Sequence, residues 1–265
     1  MNSQHAPLSC TRAERGQAWA VHLFTTVGVI VGGLALQAVL DGRPGRAILY
    51  LLITMVIDGV DGPVARALGV KERLPQIDGY VLDLVIDFVT CVIVPAAFMY
   101  QFEVVPRNAF GLAVLGLLVL TSAIWFSRTD MMTEDNFFRG FPAAWNMVGP
   151  LLWVIEANKG FGAAMTILFS VLSLTNMPYP HIVRAKFMRP LTLLAATVWL
   201  GGLAVGAALY PHHPTWLKVA LLASVAYYLL LALVKTVHDH RVRHAPLTDV
   251  DTATGVESVS SAESG

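Results

Sequence analysis

Apolar stretches of about 20 residues recur along this chain, and they fix the solvent in which it must fold. Eight of them are long enough for a helix to cross the hydrocarbon of a bilayer: 18–40, 47–66, 79–101, 109–126, 143–157, 160–178, 190–210 and 216–237. The fifth is short and is interrupted by Asn146 and Pro150. Charged residues make up only 14% of the chain, against roughly 25% in a soluble domain. The expected fold is therefore all-α and integral to the membrane, with about eight transmembrane helices.

Charge placement gives the expected orientation. Of the eighteen Lys and Arg residues, thirteen fall near the span ends of one side, among them Arg12, Arg66, Arg128, Arg189 and Lys235. By the excess of cations in cytoplasmic loops, both termini and the connections after spans two, four and six should face the cytoplasm. No signal-peptide pattern opens the chain, so the first stretch is expected to remain as a span. The 36 charged side chains balance to zero, so no basic footprint calls for nucleic acid. Cys10 and Cys91 form neither a disulfide framework nor a C-x-x-C pair. The Ser/Thr/Ala-rich end, 241–265, reads as a disordered cytoplasmic tail.

Four acids interrupt the apolar pattern. Asp58, Asp61, Asp83 and Asp87 lie inside spans two and three. An Asp at a helix centre costs roughly 2.5–3.5 kcal/mol on an insertion scale, so four demand compensation of about 10 kcal/mol. Asp58, Asp61, Gly62 and Ala65 follow the i, i+3, i+4, i+7 spacing of one helical face, and Gly79, Asp83 and Asp87 follow i, i+4, i+8. Joined by residues 67–78, the two helices should run antiparallel, with Gly62 level with Asp83 and Asp58 level with Asp87. All four carboxylates are then expected to converge on a cavity open to the cytoplasm. Oxygen donors without His or Cys suit hard cations, Mg²⁺ or Mn²⁺, and two such ions would cancel four negative charges. Paired ions of this kind serve phosphoryl chemistry. Gly62 leaves room for a ligand, and Arg66, one turn nearer the water, can fork onto a phosphate. Arg66 is the one cation near the acids in sequence, too few for a network of buried ion pairs.

These residues read D-x2-D-G-x2-A-R-x12-G-x3-D-x3-D, which resembles the signature of the CDP-alcohol phosphatidyltransferases. The twelve residues between Arg66 and Gly79, V-H-L-F-T at Val21–Thr25, and the segment Thr133–Asn146 are similar to the bacterial phosphatidylcholine synthase subgroup. The resemblance implies a cytoplasmic segment 1–17, a six-helix catalytic membrane core over 18–180, two additional helices over 181–240, and residence in the bacterial inner membrane. It implies transfer of a phosphatidyl group from CDP-diacylglycerol to choline, with release of CMP. It makes Asp58, Asp61, Asp83 and Asp87 metal ligands, Asp87 also the general base, and Thr25, Gly62, Ala65, Arg66 and Gly79 the residues around the CDP and its phosphates. A homodimer is the family's expectation. His22 stands where many relatives carry Asn or Asp.

Choline is a quaternary ammonium, for which aromatic faces are the natural receptor. Phe137, Phe138, Phe141 and Trp145, with Glu134, are the candidate lining. The alternative is that these rings anchor a loop at the membrane interface. Two other readings stay open at this point: an anionic or zwitterionic acceptor (serine, glycerol phosphate, inositol phosphate), served by Arg128, Arg139, Arg184 and Arg189, or a cation-coupled transporter. Asp78 reads as an N-cap, Gly202 and Gly206 as a packing pair, and Cys91 as an ordinary span residue; His238, His240 and His244 after the last span, with His212 and His213 before it, read as a solvated helix end beside Arg241 and Arg243 rather than a metal site.

Overall fold

A computed structural model of the chain describes residues 11–133, 136–180 and 188–243. Helix dominates: α1 Arg12–Leu40, α2 Pro44–Ala67, α3 Val70–Arg73, α4 Gly79–Asp87, a π-helical stretch Phe88–Ile93, α5 Val94–Gln101, α6 Ala109–Phe126, α7 Trp145–Val154, α8 Lys159–Ser173, α9 Arg189–Leu209 and α10 Thr215–Arg243. The α4, π and α5 segments form one continuous span, Gly79–Gln101. Two short strands, β1 Phe137–Arg139 and β2 Pro178–Pro180, pair antiparallel with Phe138 opposite Tyr179. The protein is an all-α integral membrane protein.

Local chemistry sets the helix ends. Thr11 and Glu14 close a reciprocal capping box at the start of α1. Pro44 opens α2, after a turn in which Gly42 takes a left-handed conformation. Asp78 caps α4, its Oδ1 accepting from the Tyr80 and Val81 amides. Asn108 and Asn158 cap α6 and α8 in the same way.

Among the described residues, six helices are long and apolar enough to cross a membrane. The fifth and sixth expected spans are shorter than foreseen. The ten residues of α7 rise about 15 Å and the fifteen of α8 about 22 Å at 1.5 Å per residue, against a hydrocarbon core of about 30 Å. Backbone turns with positive φ at Ala143 and Glu156 bracket α7. Nearly every residue of α7 is buried inside the protein, so its apolar character reflects protein neighbours rather than lipid. The large apolar side chains left exposed, such as Leu23, Ile30 and Val56, lie on the outer helices.

Without a hydrophobic force between helices in lipid, close backbone approach supplies the packing. On α1, Val21, Thr25, Gly28, Gly32, Ala35 and Val39 form one buried seam, running along α2 and touching the α4–α5 span. Gly28 faces Ile57 of α2 and Ile86 of α4, and a Cβ there would meet their methyls at 3.7 and 3.4 Å. Gly202 and Gly206 admit Leu221 and Val154, as their spacing foretold. The connection between α2 and α4 is itself folded: Val70 and Leu74 pack on Ala18 and Val21, and Arg73 reaches Gln17 and Glu14. Residues 241–243 of the expected tail continue α10, and the rest of it, with the first ten residues, lies outside the described residues.

Candidate active site

Three carboxylates meet between α2 and α4. Asp58, Asp83 and Asp87 each offer an oxygen, and these atoms all lie within 4.8 Å of one another. The expected meeting of Asp58 with acids of the third span is seen here, with Asp83 and Asp87 both within reach. Asp58 is exposed, and Asp83 and Asp87 are half-buried. At that separation each like-charge pair is unfavourable by about 3–4 kcal/mol at an effective dielectric of 20. A set of hard oxygen donors held this close fits a divalent cation.

Asp61 lies outside this group. Its side chain is buried at 5% exposure, beside the Thr25 hydroxyl and within the field of Arg66. The Thr25 hydroxyl also stands 3.3 Å from the Val21 carbonyl. The expected convergence of four acids is thus three on the cavity and one turned toward α1. Helical angle accounts for it: three residues of about 100° each leave Asp61 about 60° from Asp58 around α2. Arg66 folds back over its own helix, so that a Cβ on Gly62 would stand 3.3 Å from its guanidinium. Gly79 opens space for His22, whose ring a Cβ at position 79 would meet at 3.2 Å. His22 is 6% exposed, and its Nε2 is buried without a hydrogen-bond partner among the described residues. Ala65 packs with Leu68 on the α1–α3 cluster.

The face Gly79, Asp83, Asp87 continues for another step. Cys91 lies in the π stretch, its Sγ 4.0 Å from Asp87 Oδ1 and 3.3 Å from Asn146 Nδ2 at the head of α7. Sequence reasoning took Cys91 as an ordinary span residue. The same i+4 progression that selected Asp83 and Asp87 would have reached it, but no spacing rule brings α7 to its side.

Three of the four loop aromatics are interior packing. Trp145 is fully buried, its indole N–H donating to Ser122 Oγ at 2.9 Å. Phe141 stacks among Trp145, Phe169 and Tyr179. Phe137 is buried in β1 with the Lys235 ammonium 5.5 Å from its ring centre. Phe138 alone of the four keeps intermediate exposure, its ring 5.7 Å from that of Trp125. Glu134 lies outside the described residues, as does Arg184. Arg128 is engaged by Asp130, the Thr175 carbonyl and Asn176; Arg139 also stands near Asp130, at 3.9 Å. On the opposite face of the molecule, the His213 side chain is 2% exposed, packed on Trp153 and near Glu156. It is buried structure at the start of the last span.

Fold and site together define a multi-pass membrane protein with a carboxylate-lined site between its second and third spans. Over 235 residues the chain is 36% identical to the phosphatidylcholine synthase of Pseudomonas aeruginosa, covering 88% of this chain and 97% of that one. It is 37% identical to that of Agrobacterium fabrum over 215 residues, covering 80% and 87%. With that of Brucella melitensis it shares 31% identity over 235 residues, covering 89% and 85%. No protein-family model matches the chain. The chain belongs to the phosphatidylcholine synthase family.

Proposed function

We propose that the protein makes phosphatidylcholine by transferring the phosphatidyl group of CDP-diacylglycerol to choline, releasing CMP, as a CDP-alcohol phosphatidyltransferase. The observation that carries this reading is the meeting of Asp58, Asp83 and Asp87 oxygens within 4.8 Å on two antiparallel helices, in a chain similar over most of its length to phosphatidylcholine synthases. Asp58, Asp83 and Asp87 would hold Mg²⁺ or Mn²⁺ between them, and Asp61 would complete a two-ion set by turning from Thr25. Bound there, the ions supply positive charge to the donor's pyrophosphate and favour departure of CMP.

The protein's own residues do the rest. Arg66, folded over Gly62, presents a planar fork to a phosphate oxygen. Thr25, Gly62, Ala65 and Gly79 line the approach for the CDP. Asp87 takes the proton of the choline hydroxyl. The choline oxygen bonds to the phosphatidyl phosphorus as the bond from that phosphorus to the CMP oxygen breaks, and CMP keeps the electron pair. Holding both partners in line converts an encounter into an intramolecular step.

Choline is favoured over an anionic alcohol because Arg128 and Arg139 are engaged by Asp130, and Arg128 also by the 175–176 turn. Phe138, Trp125, Phe126 and Phe88 form a run of adjoining rings on the apolar core, and the partly exposed Phe138 and Phe88, the residue after Asp87 in sequence, are the rings that would offer a face to a quaternary ammonium. The core 18–180, the added helices 181–240, both termini and the site on the cytoplasmic side, residence in the inner membrane, and a homodimer complete the reading.

The test is direct. Purified protein given CDP-diacylglycerol and labelled choline should form labelled phosphatidylcholine and one CMP per product. Incorporation of serine, glycerol phosphate or inositol phosphate in place of choline would overturn the acceptor. Absence of CMP release with every alcohol would overturn the reaction.

A further inference from the structure

Asn146 is a polar side chain on α7, a helix otherwise apolar and buried on nearly all sides. It is 3% exposed. Its amide nitrogen stands 3.3 Å from Cys91 Sγ, and its carbonyl oxygen is buried with no hydrogen-bond partner among the described residues. Nothing in the packing of α7 calls for a carboxamide there; an apolar residue of similar volume would avoid the desolvation of an unpaired oxygen.

The direction of the contacts follows from the groups themselves. The S–H of Cys91 is placed to donate toward Asp87 Oδ1, 4.0 Å away. The sulfur is then left to accept, and Asn146 Nδ2 is its donor. Thr90, whose hydroxyl oxygen is 3.8 Å from the same sulfur, has its proton directed to the Ile86 carbonyl at 3.1 Å. The π stretch that carries Cys91 begins immediately after Asp87; single π turns of this kind are frequent at functional sites.

We propose that Asn146, acting through Cys91, is a positioning residue that fixes the rotamer of Asp87 from α7. The proposal rests on the assignment of Asp87 to the reaction made above. Asp87 meets Asp58 and Asp83 in the cluster and also the Cys91–Asn146 arm, so the arm biases which carboxylate oxygen faces the cavity. Partners behind a ligating carboxylate typically affect affinity or activity 10–100-fold.

The experiment is a double-mutant cycle on full-length protein in detergent micelles. Cys91→Ala, Asn146→Ala, the double variant and Cys91→Ser are compared for kcat, for KM of both substrates, and for Mn²⁺ binding in the absence of substrate. Each single alanine variant should lower kcat about 10-fold and weaken Mn²⁺ binding about 10-fold. Both KM values should stay unchanged, and the double variant should be no worse than either single one. Cys91→Ser, which keeps a donor and an acceptor, should recover most of the loss. Independent, multiplicative losses in the double variant, or single variants equal to wild type, overturn the positioning role. Wild-type protein that binds no Mn²⁺ and forms no phosphatidylcholine overturns the reading of the site as well. Thermal unfolding of each variant separates a folding defect in Asn146→Ala from the effect sought, and Cys91→Ser carries the test in that event.

Discussion

Gly32 of α1 faces Thr90 of the π stretch so closely that a Cβ on the glycine would lie 2.8 Å from the Thr90 methyl. Thr90 is buried, three residues beyond Asp87. Gly32→Ala should therefore cost about 1–3 kcal/mol through overpacking and displace the span that carries Asp87. Thr90→Ser removes the methyl, so the double variant should regain stability. Thermal unfolding in detergent, with activity measured alongside, checks both; equal midpoints for wild type and Gly32→Ala would show the contact to be slack.

Replacing Asp87 with Asn keeps the shape and removes the base. Turnover should fall about 10²–10⁴-fold, while membrane insertion and yield stay normal. Asp58→Ala should be comparably inactive, because it removes one of three oxygens that meet within 4.8 Å. Labelled-choline incorporation by membranes carrying each variant gives the answer, and substantial turnover in either would remove that residue from its role.

Chelation tests the cation directly. Dialysis against EDTA should abolish phosphatidylcholine formation, and Mn²⁺ or Mg²⁺ should restore it. Ca²⁺, with longer bonds and higher coordination, should restore it poorly. Activity retained after exhaustive chelation would mean that the acids serve another purpose.

Asp130 lies outside the spans, and its carboxyl is held below its ordinary value of 3.8 by the hydrogen bond from Arg128, aided by the charges of Arg128 and Arg139. A lowered folded-state value means a contribution present above the unfolded value and lost as pH falls through the folded one. Wild type should thus be slightly more heat-stable than Asp130→Asn at neutral pH, and the two should converge as pH drops below about 3.8. Melting curves of the pair across pH would show it; a constant gap would place the effect elsewhere.

The loop aromatics should separate into two classes. Trp145→Ala empties a fully buried site and strands the Ser122 hydroxyl, so it should destabilise by about 3–5 kcal/mol. Phe138→Ala, which loses a partly exposed ring and its contact with Trp125, should destabilise less than Trp145→Ala and raise the choline KM, with the KM for CDP-diacylglycerol unaltered. Choline kinetics of the folded Phe138 variant decide whether that ring serves the acceptor.

The acid face was legible because helical spacing is arithmetic: once Asp58 and Asp87 fall on faces of antiparallel neighbours, their meeting follows. The inward turn of Asp61 was not legible, since it depends on Thr25 of a third helix. Hydropathy marked α7 as a span because it does not distinguish lipid from protein surroundings, and α7 is enclosed by other helices. The pairing of β1 with β2 escaped notice for a related reason. Three-residue strands joined across 38 intervening residues leave no local periodicity to read. Asn146 was noticed only as an interruption, and its partner Cys91 lies 55 positions away.

Gly28 touches Ile57 on one side and Ile86 on the other, and each of those isoleucines adjoins an acid of the site. The spacing between the two acid-bearing helices is therefore gauged by a residue with no side chain, on a helix that contributes none of the three converging carboxylates. Enlarging that residue would act like a wedge, parting the carboxylates before it changed any of them. If they hold a cation, the ionic radius accepted would in this sense be set by the scaffold.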